Sequence, residues 1–274
     1  MAKQYLGFGL IFVAALAVTG ASAAPSEGFT PHDGFTADGK PQLAGKLDAY
    51  LWLPRTDVDA DLPLVPNADI SIPVSSVLSH LTGAFMGDGI VRYGNWSGEA
   101  NLFYISVGKT QDVPIPDTSD SLPIRFHSAV FAIAPGVGYR IVKDDQHHVS
   151  IDARAGFSYW NLNATAVVNN SGNPGVGRTV DFVFPWIGER LTFDPTPRWR
   201  VLNTFALTGL GADGGRMGWN ATLGLSYLIS KSFDVSLGYR AIQSYKSEPA
   251  GPLGEDRSIN ILDYGPMLAG GWRF

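Results

Sequence analysis

The sequence predicts an all-β fold, a transmembrane antiparallel β-barrel of about ten strands. Three observations predict it: long strands with alternating apolar residues, connections that alternate between short and long, and a composition rich in glycine but poor in charge. Of the 274 residues, 32 are glycine, 45% are hydrophobic and 16% are charged. Lipid-facing strands around a glycine-rich interior give this balance. Eight or twelve strands also fit the strand boundaries.

The N-terminus carries the pattern of a secretory signal peptide. Lys3 precedes an apolar run at 6–18, and small residues follow at 21–23. The run is shorter than the roughly 20 residues that a membrane-spanning helix needs. We therefore predict a signal peptide at 1–23 that is cleaved near Ala23, a periplasmic segment at 24–44 and the barrel at 45–274.

Charge and cysteine content exclude several classes of protein. The chain has no cysteine, so it has neither a disulfide framework nor a thiolate metal site. Its net charge is −5 and it shows no basic patch, which argues against a nucleic-acid partner. The run "GVGYR" at 136–140 lies within a predicted strand, so it is not a phosphate-binding loop, and the sequence indicates no cofactor.

Ten segments show strand periodicity, in which every second residue is apolar. The clearest segments are 128–141, 149–159, 219–229, 233–241 and 262–274. The weaker ones are 45–54, 84–94, 97–110, 179–194 and 198–210. Pro185 and the pair at 189–190 interrupt the alternation in one of them, which favours a bulge or a shifted register there.

The connections between these strands alternate in length. Tight turns are expected near 95–96, 144–146, 194–198 and 230–232. The segments 55–83, 111–123, 169–178, 211–215 and 248–257 alternate with them and are mostly longer. Short turns on one rim and long loops on the other are typical of outer-membrane barrels, with the termini on the short-turn, periplasmic side.

Aromatic residues on the apolar faces suggest an interfacial girdle. Tyr139, Tyr159, Trp219, Tyr239 and Trp272 occupy such positions, several of them near strand ends. The alternative is a secreted β-sandwich with an aromatic core. Sandwich strands are typically five or six residues long, which is shorter than the segments seen in this chain.

Several segments resemble bacterial outer-membrane β-barrel proteins, and more narrowly a broad group of proteobacterial barrels. These are "LGYR" at 237–240, the final "YGPMLAGGWRF", and residues 69–107 and 218–245. The terminal Phe274 with Trp272 resembles the targeting signal of such proteins. The resemblance implies the outer membrane as location, with lipid, lipopolysaccharide and the barrel-assembly machinery as partners.

Charged residues recur on the predicted inner faces and are the candidate site residues. They are Asp88, Arg92, Glu99, Arg140, Asp152, Arg154, Arg240 and Asp263. Since an unpaired charge in a dry interior costs several kcal/mol, one interpretation is a salt-bridged core. The other is a narrow pore for small solutes, lined by the same residues.

Residues 74–81 differ from the strands because apolar side chains recur there at helical spacing. Val74, Val77, Leu78 and Leu81 predict a short amphipathic helix in the long connection, with Ser75 as a possible cap. Four acidic residues precede it, namely Asp57, Asp59, Asp61 and Asp69. A solvated loop or a divalent-cation site are the two interpretations of that acidic run.

The functional hypotheses are three. A structural barrel or narrow porin-like channel is favoured, and a non-conducting surface or adhesion barrel is the alternative. A lipid-modifying enzyme would need a serine nucleophile and a histidine base. His80, near Ser75, Ser76 and Ser79, and His127, expected to face lipid, are its candidates. Because neither histidine lies in a His-x-Ser motif, we predict no enzymatic activity.

Overall fold

The computed structural model describes residues 34–36, 39–62, 65–114, 121–168, 176–212, 216–248 and 257–274. These residues form twelve strands and one helix. The predicted signal peptide at 1–23 and most of the segment at 24–44 lie outside the described residues. In chain order the elements are β1 (Leu43–Trp52), β2 (Arg55–Leu62), β3 (Val65–Ile72), α1 (Val74–Ser79), β4 (Leu81–Tyr93), β5 (Trp96–Pro114), β6 (Ser121–Asp144), β7 (Val149–Val168), β8 (Val176–Thr196), β9 (Trp199–Thr208), β10 (Met217–Leu228), β11 (Phe233–Glu248) and β12 (Arg257–Arg273).

Ten of these strands close into an antiparallel barrel. The order runs from β1 through β4 to β12, and β12 pairs back onto β1, with Trp272 opposite Leu47. Closure leaves the barrel without the free sheet edges that an open sheet would expose to lipid. The predicted fold and strand number are therefore confirmed.

The strands β2 and β3 form a hairpin on the outer end of the barrel. The upper part of β12 pairs with β2, and β2 pairs with β3. The expectation that residues 55–83 form a loop is therefore wrong, except that α1 confirms the predicted helix. Each strand of the hairpin does alternate, with Asp57, Asp59 and Asp61 on one face of β2, but each run is only eight residues long and Pro63 and Pro66 separate the two runs, which favours a loop.

Connections sort onto two rims, as predicted. Short turns at 94–95, 145–148, 197–198 and 229–232 lie on the rim where β1 begins and β12 ends. The strands β5, β7, β9 and β11 end at the opposite rim, from which the longer connections start, and β5, β6, β11 and β12 extend further than expected. We call the short-turn rim periplasmic and the other rim outer.

The outward face of the barrel exposes large apolar side chains. Leu47, Phe85, Val137, Phe157 and Leu237 are each half exposed or more. In water such a continuous surface would be unfavourable, but against acyl chains it is the expected lining of a transmembrane barrel. The fold is thus that of an outer-membrane barrel. Among the described residues, no helix is long and apolar enough to span a bilayer.

Aromatic side chains ring the periplasmic end of this apolar surface. Trp96 packs on Tyr139 with 4.9 Å between ring centroids, and Trp272 packs on Phe274 at 5.1 Å. Tyr139, Tyr239 and Trp272 are exposed on the outward face, as expected. Tyr159 and Trp219, also on that face, are half-buried and donate hydrogen bonds to Asp181 and Gln243.

No bulge lies at Pro185, contrary to one sequence expectation. Pairing of β7 with β8 runs without a shift from Val149–Phe193 to Ala166–Val176. Pro185 is tolerated because it lies one residue beyond Trp186–Thr208, the last pair between β8 and β9. Glu189 is exposed and Arg190 is buried, so the alternation continues through this pair. The register shift that involves β8 lies between Phe193 and Thr196, in its pairing with β9.

Pairing between β1 and β4 stops before either strand reaches its outer end. The last pair is Ala49–Gly87, yet β1 continues to Trp52 and β4 begins at Leu81. Within this gap the backbone N–H of Trp52 donates to Met86 Sδ at 3.4 Å. We call the gap between residues 50–54 and 81–86 the seam. The hairpin and α1 adjoin its outer end.

Candidate functional site

Asp152, at the periplasmic end of the lumen, binds two arginines from two other strands. Arg92 of β4 donates to both carboxylate oxygens of Asp152, and Arg140 of β6 donates from Nε at 3.2 Å. Asp152 is 1% exposed and both arginines are buried. The interaction therefore joins β4, β6 and β7 inside the barrel.

A second buried carboxylate, Glu99, extends this network across the lumen. Arg154 of β7 lies 2.5 Å from its Oε1, and Arg190 of β8 lies 2.8 Å from its Oε2. Both carboxylates are thus shared between two guanidinium groups. Such pairing offsets the large desolvation penalty of burying charges.

A third cluster, which sequence reasoning did not select, lies near the barrel closure. Asp234 is fully buried and contacts Arg273 at 2.7 Å and Lys46 at 3.1 Å, and Lys46 also contacts Asp48 at 2.8 Å. The sequence did contain a signal for this cluster, because the alternation of β11 and β12 places Asp234 and Arg273 on the inward face of their strands. We call these three clusters together the ion network. It comprises Lys46, Asp48, Arg92, Glu99, Arg140, Asp152, Arg154, Arg190, Asp234 and Arg273.

The ion network borders a vestibule of about 170 Å³ at the periplasmic end. Asp88 lines this vestibule and lies directly across from Asp48 on the neighbouring strand. The described part of the segment before β1 packs nearby: Gly94 donates its N–H to the carbonyl of Gly34 at 3.0 Å. The space is small compared with the 300–1,000 Å³ of common ligand pockets.

Above the ion network, aromatic side chains occupy the lumen. We call them the aromatic layer: Trp52, Phe103, Trp160, Phe182, Phe184 and Trp186. Ring centroids lie 6.0 Å apart for Trp52 and Phe103, 6.3 Å for Phe103 and Trp160, and 6.2 Å for Trp160 and Phe182. Trp52, Phe184 and Trp186 are buried.

Two glycines explain how Trp186 fits into this layer. Gly136 and Gly156 face inward on β6 and β7, and a Cβ atom at either would overlap the indole ring of Trp186. Sequence reasoning missed the aromatic layer because apolar residues on an inward face break the simple alternation. The sequence could have indicated it, because Trp160 is separated by an even number of residues from Arg154 and Ser158 and therefore lies on the same, inward face of β7.

Cations flank the aromatic layer on both sides. Arg240 lies 5.3 Å from the ring of Trp52 and donates to the hydroxyl of Tyr50 at 3.0 Å and to Asn220 at 3.3 Å. Arg216, on the outer side, lies 4.1 Å from the ring of Phe182. Each such cation–π contact is worth roughly 0.5–2 kcal/mol, the larger value where water is excluded.

The eight predicted site residues therefore lie at three levels of the barrel. Arg92, Glu99, Arg140, Asp152 and Arg154 meet in the ion network, and Asp88 lies beside it. Arg240 contacts the aromatic layer instead. Asp263 lies nearer the outer end, where it accepts a hydrogen bond from Thr56 at 2.5 Å. That the eight residues line a path for solutes stays a prediction.

A larger pocket, of about 550 Å³, lies between α1 and the outer ends of β5 to β8. We call it the outer pocket. Val107 and Ala164, in its lining, are each four residues further outward than Phe103 and Trp160 of the aromatic layer. The outer pocket is mostly apolar, with Ile72, Val77, Val107 and Phe126 among its lining residues, and His80, His127 and Lys109 also border it.

The two histidine candidates of the enzyme hypothesis thus border one pocket. His80 Nδ1 lies 2.8 Å from the carbonyl oxygen of Ser76 and 2.9 Å from Ser79 Oγ. These are local contacts of α1, and among the described residues no carboxylate contacts His80. Within the described ranges, no group of three or more His, Asp or Glu residues is placed to bind a metal ion.

The acidic run before α1 lies on the hairpin. Asp57 accepts hydrogen bonds from Ser71 at 2.6 Å, from Arg55 at 3.1 Å and from Tyr264 at 3.0 Å. Asp59 accepts one from Asn260 at 3.3 Å. These contacts fasten the hairpin to β12, and the side chains of Asp61 and Asp69 lie outside the described set.

Solved outer-membrane barrels are similar to this chain in fold. Ail, the attachment invasion locus protein of Yersinia pestis, is 12% identical with a TM-score of 0.38, covering 85% of this chain and 98% of Ail. The outer membrane protease OmpT of Escherichia coli is 7% identical with a TM-score of 0.47, covering 85% and 96%. The toluene transporter TodX of P. putida is 9% identical with a TM-score of 0.31, covering 84% and 89%. No protein-family model and no curated protein matches the chain.

Proposed function

We propose that this protein is a non-conducting outer-membrane barrel that binds an amphipathic molecule in the outer pocket. The observation that carries the proposal is the division of the lumen: the aromatic layer and ion network occupy its lower part, while a pocket of about 550 Å³ remains at the outer end. This volume lies within the range of small-molecule sites. A sealed barrel is favoured over the narrow channel.

The lining of the outer pocket suggests the chemistry of its ligand. Ile72, Val77, Val107 and Phe126 offer an apolar surface for a hydrocarbon body. Lys109 places a cation at the border, and the imidazoles of His80 and His127 add hydrogen-bonding groups. A molecule with an apolar body and an anionic head, such as a fatty acid, fits this arrangement. Binding needs no bond-breaking chemistry, so the prediction that the protein is not an enzyme is part of this proposal.

Two measurements test the proposal. Purified protein in planar bilayers is expected to show no steady conductance. Replacing Trp52 and Trp160 together by alanine removes two members of the aromatic layer and is expected to produce conductance. A wild-type barrel that conducts small ions steadily would overturn the sealed-lumen part.

Binding is measured with a fluorescent polyene fatty acid and protein in lipid nanodiscs. Val77→Glu places a carboxylate in the pocket and is expected to weaken binding at least about tenfold, which is 1.4 kcal/mol. Leu78→Glu is the matched control, because Leu78 is the next residue of α1 and does not border the pocket. Lys109→Gln is expected to weaken binding, whereas Lys231→Gln, in a periplasmic turn, is not. Equal affinity in Val77→Glu and wild-type protein would overturn the proposed ligand site.

A further inference from the structure

The seam is an interruption of the barrel wall where continuity is normally required. In hydrocarbon, each backbone polar group without a partner costs several kcal/mol. Along the seam, β1 and β4 forgo this pairing, and the N–H of Trp52 turns to the sulfur atom of Met86. Sulfur is only a weak acceptor. The wall therefore has no backbone ladder at this place.

The seam faces the outer half of the bilayer. Leu51 and Phe85 flank it on the outward face, and they are 44% and 57% exposed. Phe85 lies eight residues above Tyr93, which is exposed near the periplasmic turn. At about 3.3 Å per residue and a tilt near 45°, that is roughly 19 Å above the turn, within a hydrocarbon thickness of about 25–30 Å. The molecules that lie against the seam are therefore acyl chains of the outer leaflet.

The inner side of the seam offers apolar surface to such a chain. Met86 and Trp52 are buried there, and the ring of Trp52 continues into the aromatic layer through Phe103. Methionine is unbranched and flexible, so its side chain can move aside without disturbing a backbone ladder. The indole Nε1 of Trp52 is buried and has no hydrogen-bond partner among the described residues. It is thus available to a carboxyl or ester oxygen.

We propose that the seam is a lateral opening through which an acyl chain of the outer leaflet enters the barrel between β1 and β4, beside α1 and the aromatic layer. The outer pocket would then receive its ligand from the membrane, so this inference rests in part on the proposed function. Met86 acts as the movable part of the opening. The hairpin and α1 limit the opening at its outer end.

Photolabelling tests the opening in the wild-type chain. A phospholipid with a diazirine on its acyl chain is incorporated in the vesicles, and adducts are mapped by peptide mass spectrometry. Phe157 faces lipid on the opposite wall and serves as the positive control, while Trp186 faces inward away from the seam and serves as the negative one. We expect adducts at Phe157, Met86 and Trp52 but not at Trp186. Adducts at Phe157 alone would overturn the inference.

Closing the seam provides the second test. Since the chain has no native cysteine, Leu51→Cys with Phe85→Cys can be bridged by a short bis-maleimide across the seam. Leu47→Cys with Gly89→Cys, a directly paired position below the seam, is the matched control. Bridging the first pair is expected to abolish the adducts at Met86 and Trp52, and bridging the control pair is expected to leave them. Adducts that survive closure of the seam would overturn the lateral route.

The two proposals fail in different ways. If adducts at Met86 and Trp52 are absent while Val77→Glu still weakens fatty-acid binding, the seam is not an entrance and the outer pocket stands. If the fatty acid does not bind but the adducts are present and depend on the open seam, the outer pocket is wrong and the lateral opening stands.

Discussion

Between β6 and β7 the pairing runs from Ile124 opposite Val168 to Asp144 opposite Val149, whereas between β1 and β4 it stops at Ala49 opposite Gly87. The first wall has one register shift, at Arg140/Val142, and lacks two pairs beside Pro135, which has no N–H to donate, but it keeps its register across them. The second is interrupted at the level of Trp52 and Met86. A barrel can therefore be closed as a whole and still contain a place in its wall where side chains, and not backbone hydrogen bonds, separate the interior from lipid.

The largest expected effect on the free energy of unfolding comes from the contact of Asp152 with Arg92 and Arg140, which joins the two walls. In Asp152→Asn, the arginines Arg92 and Arg140 remain buried without their carboxylate, and the free energy of unfolding is expected to fall by about 3–5 kcal/mol. Urea unfolding in lipid vesicles measures it. Asp145→Asn is the control, because Asp145 is 81% exposed in its pair with Lys143 and such pairs contribute about 1 kcal/mol or less. Equal losses in both variants would contradict the special role of Asp152.

Packing is expected to differ between the two sides of the aromatic layer. Phe184→Ala, away from the seam, is expected to cost about 3–5 kcal/mol, because the ring of Phe184 is buried and packs on Trp160 and Phe182. Met86→Ala is expected to cost about 2 kcal/mol, the lower end for such a change, because the seam can close over the vacated space. The same unfolding measurement compares them. A larger loss for Met86→Ala would show that the seam is packed as tightly as the rest of the wall.

The lipid contact of the continuous wall can be tested on one strand. Phe157 is 61% exposed on the outward face of β7, and Phe157→Arg is expected to destabilise the protein by about 2–4 kcal/mol. Asn161 lies on the same face further outward, beside Asp181, to which it donates a hydrogen bond at 2.6 Å. Asn161→Arg is expected to have little effect on unfolding. A comparable loss of unfolding free energy in the two variants would show that the boundary between hydrocarbon and headgroups does not lie between Phe157 and Asn161.

The smallest effect concerns the hairpin above the seam and its dependence on pH. The hydroxyl of Ser71 holds the pKa of Asp57 below its ordinary value, and Arg55 and Tyr264 act in the same direction. Because the folded pKa is lowered, this stabilisation is complete above the ordinary pKa of aspartate and is lost as the pH falls through the lowered value.

Spin labels on the hairpin are therefore expected to become more mobile in acid. In Asp57→Asn the mobility is expected to be high already at neutral pH and to change less on acidification. Mobility that is independent of pH in the unmodified hairpin would contradict this account.

Sequence alone predicted the continuous wall but not the interrupted one. In β6, β7, β10, β11 and β12 one face is apolar and the other small or charged, and this alternation fixes the strand and its orientation. The hairpin strands alternate too, but only over two runs of eight residues with prolines between them, so residues 55–83 were interpreted as a loop. The seam could not be predicted, because period-two patterning indicates which face a residue occupies and not which neighbour it pairs with.

The candidate site followed the same division. Arg92, Glu99, Arg140, Asp152 and Arg154 were selected because a charge on an inward face needs a partner, and they meet in the ion network. Trp52, Phe103 and Trp160 were not selected, because aromatic residues are common on the lipid-facing side of barrel strands and so do not by themselves indicate a site. Only the closed barrel shows that their parity turns them towards the lumen.

The seam also makes the barrel mechanically weaker between β1 and β4 when a force acts on it. A wall of regular hydrogen-bonded ladders shares mechanical tension among many bonds, but at Trp52 and Met86 one N–H to sulfur contact takes the place of such a ladder. Pulled sideways, the barrel is expected to part between β1 and β4 first. The separation would stop where β1 and β4 are paired, from Ala49 opposite Gly87 to Leu43 opposite Tyr93.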